Sequence, residues 1–230
     1  MNVFLLSHIW IQDNQKYKQD LVDRVVSHYK YNYPDTTIIL TGHGVRPHDC
    51  TVENVDHLVW HDKIINTEVG RGHPQCVSEG VAIAKEIGAT HIFKNRADMI
   101  VCCKDIFKRC FDKIAIADKK GIGFFEGEML HDITIFSETE TMRQAWDTSK
   151  WNKSTRVNGV INSNNALIGY GHKIESSFYK AHQEDLPVAF LDPWWESHFK
   201  TMSDKQFLDV DFDWTKHTFF SGYSRRAQSL

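Results

Sequence analysis

Short apolar runs separated by segments of helical periodicity fill the first two thirds of this 230-residue chain. That alternation restricts its fold more than any single motif. Val3 to Leu6 is apolar throughout, as a strand covered on both faces is. From Asp13 to Tyr31, Tyr17, Leu21, Val25 and His28 recur at helical spacing with Val22, Val26 and Tyr29 beside them, and the pattern stops before Pro34. "TTIILTG" and "DHLVWHD" follow as a second and a third strand. The next helix is the best marked: Pro74 suits its start, Cys76, Gly80, Ile83, Ala84 and Ile87 make one face, and Gly88 supplies a C-terminal cap. It leads into "THIF", then a helix over about 104–114, strands at "GIGFFEG" and "DITIF", and a short helix from Glu138 to Trp146. Strands alternating with helices in this way predict an α/β sandwich around a mainly parallel sheet.

After Trp146 the pattern weakens. "KWNKSTRVNGVINSNN" reads as loop, while "ALIGY" and "PVAFLD" read as short strands. No repeat or linker divides the chain, so one domain is expected. With 41% hydrophobic and 25% charged residues the composition is that of a globular protein, and a chain of this length buries enough apolar surface to fold without a disulfide or metal scaffold.

A net charge of −3 and the lack of any long Lys/Arg run leave no electrostatic footprint for nucleic acid. Five cysteines, odd in number and without zinc-site spacing, point to reduced thiols and a cytoplasmic setting. The opening "MNVFLLSHIW" reads as a first strand rather than a signal peptide, and no run reaches the length of a membrane span.

The stretch "HIFKNRADMIV" sets Lys94, Arg96 and Asp98 at alternate positions after a buried strand. Extended backbone would place all three on one face. In open α/β sheets ligands sit beyond the carboxyl ends of the parallel strands, and this triplet falls at such an end. Lys94 and Arg96 are suited to phosphate oxygens, and Asp98 to a divalent ion. A row of surface ion pairs would use the same residues.

"GHPQCVSEGVAIAKEIGATHIFKNRADMIV" resembles the WavE-type lipopolysaccharide-synthesis family and related small glycosyltransferases of the GT-A class. The likeness rests on Gln75, Ser78 and Gly80 of a helix and on Lys94, Arg96 and Asp98 after the following strand. It continues at "HDITIFSETETMRQAWD" through Asp132, Trp146 and Asp147, and covers about a third of the chain. The resemblance implies a Rossmann-like GT-A fold and transfer of a sugar from a nucleoside diphosphate sugar donor to a glycan acceptor. The donor part would span about 1–104 and the acceptor part about 105–230. Asp98 would match the last acid of the class's D-x-D metal motif and hold Mn²⁺ or Mg²⁺ on the diphosphate, but Arg96 stands where the first acid belongs. Ser7, at the end of the first strand, would meet the nucleotide, with Gln75 and Arg71 beside the donor and Trp60 and Asp62 as further candidates. Asp132 is the first choice for the base that deprotonates the acceptor, followed by Glu126, Glu128 and Glu196.

Three other clusters remain. In "LDPWWESHF", Trp194 and Trp195 offer a stacking face and Glu196 and His198 a base or ligand, although two indoles after Pro193 also suit a segment anchored on the core. "DVDFDW" aligns Asp209, Asp211 and Asp213, either as a cation site or as a solvated acidic edge. The pairs His48–Asp49, His61–Asp62 and His131–Asp132 raise a metal-dependent phosphohydrolase, whose folds are helical. An inert nucleotide- or carbohydrate-binding module of the same fold is the other alternative.

Overall fold

The computed structural model describes residues 1–63, 72–126, 129–147, 156–157, 160–161, 177–182 and 184–190, with the side chains of His8, Glu126, Met129, His131, Asp132, Arg156, Val157, Val160, Ile161, Ala189 and Phe190 outside the description. Its elements run β1 (Asn2–Ile11), α1 (Tyr17–Asn32), β2 (Thr37–Gly44), α2 (Asp49–Asn54), β3 (His57–His61), α3 (Gly72–Glu86), β4 (His91–Asn95) and β5 (Met99–Val101). They continue with α4 (Ile106–Ala117), β6 (Gly121–Glu126), β7 (Met129–Glu138), α5 (Thr139–Ala145), β8 (Arg156–Val157), β9 (Val160–Ile161), β10 (Phe178–Lys180) and β11 (Val188–Phe190).

Seven strands form one sheet in the order β10-β6-β7-β4-β1-β2-β3. The pairs β1–β2, β1–β4, β2–β3 and β10–β6 are parallel, while β7 lies antiparallel between β4 and β6. Two short ladders stand apart, β11 with β5 and β8 with β9.

β1 shows why the sheet lies between two helical layers. Val3, Phe4, Leu5 and Leu6 are all fully buried. Phe4 and Leu6 pack with Val22, Val25 and Tyr29 of α1 and Ile106 and Cys110 of α4. Val3 and Leu5, on the opposite face, pack with Val77, Val81 and Ala84 of α3 and Met142 of α5. Each buried side chain contributes roughly 1.5–3 kcal/mol relative to exposure. α3 comes close because residue 80 is glycine: a Cβ there would lie 2.3 Å from Leu5 Cδ1 and 3.0 Å from Thr41 Cγ2. The helix stops at Gly88, whose φ of +77° suits a residue without Cβ, and Ala89 N–H closes the end on the Ala84 carbonyl at 2.9 Å.

Where described, the expected strands and helices are present; β5 and β10 join them, and there are three further additions. β1 runs on to Ile11, the polar stretch after His48 forms α2, and part of the stretch read as loop pairs as β8 and β9. "PVAFLD" contributes β11 as a strand, whereas "ALIGY" lies outside the described residues.

β1 is longer than its partner β4. It pairs with β2 from Val3↔Thr37 to Ile11↔Gly44, with an irregularity between Ser7 and Ile9, but with β4 only as far as Leu6↔Asn95. The connection from β1 through α1 lies on one face of the sheet and the connection through α3 on the other. The point where β1 and β4 part is thus the topological switch of the sheet, where ligands of open α/β folds bind.

Candidate functional site

The chain leaves β4 at Asn95 and turns at once. The Ala97 N–H donates to the Ser7 carbonyl at 3.2 Å and the Met99 N–H to the Arg96 carbonyl at 3.1 Å. Because the strand ends here, Lys94, Arg96 and Asp98 do not share a face, contrary to the alternation expected from sequence. Lys94 is fully buried on the α3–α5 side: its Nζ donates to the Ile133 carbonyl at 3.2 Å and sits 5.4 Å from the centroid of the Trp146 ring. Arg96 and Asp98 remain together in the turn. The guanidinium makes a two-pronged contact, Nε to Oδ1 at 2.9 Å and Nη2 to Oδ2 at 2.7 Å. The Arg96 side chain is 36% exposed and that of Asp98 16%.

Two residues that sequence reasoning passed over complete this corner. Asn95 is fully buried; its Nδ2 donates to Tyr29 Oη at 3.0 Å, and its Oδ1 accepts from Thr134 Oγ1 at 2.8 Å and from the Arg96 N–H at 3.1 Å. A carboxamide inside an apolar strand was the visible signal. Lys18, in the first turn of α1, donates from Nζ to the Trp10 carbonyl at 3.0 Å. Burial lowers its pKa, and Asp98 and Arg96 are the charges that act on it next. Nothing in its sequence surroundings marked it. Ser7 is fully buried against the same turn, its Oγ donating to the Asn95 carbonyl at 3.4 Å.

α1 holds the segment after the turn through a row of polar side chains. Tyr29 Oη donates to the Met99 carbonyl at 3.3 Å, His28 Nε2 lies 2.9 Å from the Val101 carbonyl, and Tyr33 Oη donates to the Cys103 carbonyl.

Beyond β1–β3, Ile11, Gln12, Asp13, Asn14, Gly44, Val45 and Asp62 line a depression of about 470 Å³. Asp62 follows directly on the end of β3 and lines this depression. Trp60 Nε1 donates to the Gly44 carbonyl at 3.0 Å. Gln75 Nε2 donates to Glu79 Oε1 at 2.9 Å, and Glu79 Oε2 is 2.7 Å from His61 Nε2, so Gln75 faces the end of β3 rather than the charged turn. Ser78 and Asp147 line a separate surface groove with Lys85 and Arg143.

Asp132 lies on β7, whose register pairs Ile135 with Lys94, so its backbone enters the sheet beside the carboxyl end of β4. Its side chain is outside the description, as is that of Glu126 in β6. Arg71, Glu128, Trp194, Trp195, Glu196, His198, Asp209, Asp211 and Asp213 all lie outside the described residues. The His–Asp pairs do not act as dyads where they are described: His48 Nε2 is 2.9 Å from Asp20, and His61 is engaged by Glu79. The five cysteines carry free thiols, and burial pushes Cys76 up to about 12 and Cys102 and Cys110 well above the ordinary thiol value. The thiols of Cys76, Cys102 and Cys110 are therefore unsuited to nucleophilic work.

A divalent ion at this turn needs several hard oxygen ligands. Both Asp98 oxygens already accept from Arg96. Among the described residues no three or more His, Cys, Asp or Glu side chains are grouped so as to hold a metal ion. Among the described side chains, Asp98 alone, held by Arg96, does not make a donor set for Mn²⁺ or Mg²⁺.

No helix among the described residues is long and apolar enough to cross a membrane. No protein-family model matches the chain, and no curated protein matches it in sequence. Solved structures do resemble it. The glycosyltransferase GlyE of Streptococcus pneumoniae TIGR4 superposes with a TM-score of 0.51 at 11% identity, over 94% of this chain and 63% of that one. A 4-diphosphocytidyl-2C-methyl-D-erythritol synthase superposes with a TM-score of 0.50 at 10% identity, over 86% of this chain and 96% of that one. Likeness at such identity is likeness of fold: the chain shares with these two proteins a mixed α/β fold around a central, mostly parallel sheet.

Proposed function

We propose that the protein is a glycosyltransferase that takes a sugar from a nucleoside diphosphate sugar and passes it to a glycan hydroxyl. The observation that carries this reading is the Arg96–Asp98 turn, set at the switch point of the sheet beside Ser7 and within reach of the charge of Lys18. In this reading the nucleoside lies in the depression beyond β1–β3, and the diphosphate extends over the turn. Arg96 and Lys18 would then stabilise the negative charge that builds on the leaving diphosphate. Asp98 orients Arg96 through the two-pronged contact. Asp132, on the strand beside β4, is the base proposed for the acceptor hydroxyl, with Glu196 as the second choice. Residues up to about 104 bind the donor and those after it the acceptor.

Thermal unfolding with UDP-, GDP- and TDP-sugars tests the reading. A donor at a hundred times its Kd stabilises by about 2.7 kcal/mol. Asp132→Asn is expected to keep that stabilisation and lose sugar transfer. Transfer at the wild-type rate would remove Asp132 from the role, and binding without transfer or donor hydrolysis in the wild type would leave an inert module. A failure of every nucleotide to stabilise the protein overturns the proposal.

A further inference from the structure

We infer that the site binds its diphosphate without a divalent ion, with Arg96 and Lys18 supplying the positive charge a metal would bring. The inference rests on the donor reading above and concerns how the same site works. Both oxygens of Asp98 are taken up by the Arg96 guanidinium, and that geometry is built in. The turn is fixed at Ala97 by the Ser7 carbonyl, at Met99 by the Arg96 carbonyl, and at Arg96 itself by Asn95 Oδ1. Asn95 in turn is fixed by Tyr29 and Thr134. To bind a cation, Asp98 would have to give up a fork that its whole surroundings support. The arriving ion would also face the guanidinium across the same few ångströms, and like charges at that range repel strongly when half-buried.

The charge balance points the same way. Among the described side chains, Lys18 and Arg96 both act on Asp98, two cations about one carboxylate, an arrangement that favours the approach of a diphosphate. An aspartate in place of Arg96 would set two carboxylates against Lys18 alone, and that pair then needs a divalent ion before a phosphate can approach. Arg96 is therefore the residue that decides between the two modes of binding. Its side chain, a third exposed, can be reached by a ligand from solution. No bond is made or broken in this step; the inference concerns only where the counter-charge comes from.

Titration calorimetry of UDP, GDP and TDP against the full chain decides the matter, once after exhaustive EDTA treatment and once in excess Mn²⁺. We expect the Kd of the nucleotide that binds to agree within about twofold between the two conditions, and Arg96→Ala and Lys18→Ala each to weaken metal-free binding by about tenfold or more. Arg96→Asp is expected to bind only in Mn²⁺, and circular dichroism with thermal unfolding establishes that each variant is folded. Wild-type binding that disappears in EDTA and returns with Mn²⁺ overturns the inference while leaving the proposed function intact. Equal metal-free affinity in wild type, Arg96→Ala and Lys18→Ala overturns it as well. Binding of no nucleotide in either condition overturns both.

Discussion

Asn95 is the residue on which the charged corner depends. It is fully buried, and three other groups, the Tyr29 hydroxyl, the Thr134 hydroxyl and the Arg96 N–H, all meet its carboxamide. Asn95→Ala removes the acceptor of the buried Thr134 hydroxyl and of the Arg96 N–H, and the donor to Tyr29 Oη. A single buried group left unsatisfied costs about 1–3 kcal/mol. We expect the variant to lose about 2–4 kcal/mol of stability in urea titration, on the same scale, and to bind donor nucleotide more weakly because the turn is no longer held. Unchanged stability would show that the three contacts are not made together. Lys94 shows the limit of reading residues singly. Its alternation with Arg96 and Asp98 was correct in sequence, but Trp146, fifty-two positions later, covers one side of the strand and takes Lys94 into the core. Nothing within "KNRAD" ends a strand; the end comes from β1 and β4 parting.

At the level of elements, what was legible was whatever carries its own apolar period. α1, α3 and β2 bury apolar stripes, and α1 and α3 stop before Pro34 and Gly88, so local chemistry alone outlines them. α2 was missed because "DCTVEN" has no such stripe and buries only Thr51. The packing of α3 on the sheet, by contrast, depends on one position. Gly80→Ala places a methyl 2.3 Å from Leu5 Cδ1, and Leu5 is itself fully buried. Overpacking of this kind costs about 1–3 kcal/mol. We expect a lower midpoint of unfolding with an unchanged slope, and an equally stable variant would mean that Leu5 has an alternative rotamer to move into. Gly80 belongs to the set that suggested a glycosyltransferase, yet its role here is contact between helix and sheet.

On the scale of the molecule, the C-terminal part completes what the N-terminal part begins. β10 adds to the sheet beyond β6, and β11 pairs with β5 just after the charged turn. The Cys102 N–H donates to the Pro187 carbonyl at 2.7 Å, and Lys113 Nζ meets the nearly buried Asp185 at 2.6 Å. Phe178, Leu186 and Val188 are buried by these returns. Burial of three such side chains contributes roughly 5–9 kcal/mol, comparable to the whole stability of an ordinary domain. A chain shortened to end at Asp147 is therefore expected to lose its cooperative unfolding transition and to bind the dye ANS. A sharp transition in that shortened chain would refute the dependence.

The central strand also has a consequence during synthesis. β1 cannot join β2 before residues up to Gly44 are available, and its other edge must wait longer, for β4, which begins at His91. At ordinary ribosome speeds the intervening residues take roughly 2–10 s to emerge. For that interval the growing chain presents an open row of backbone donors and acceptors flanked by Val3, Phe4, Leu5 and Leu6, a natural handhold for a chaperone and a hazard between neighbouring nascent chains.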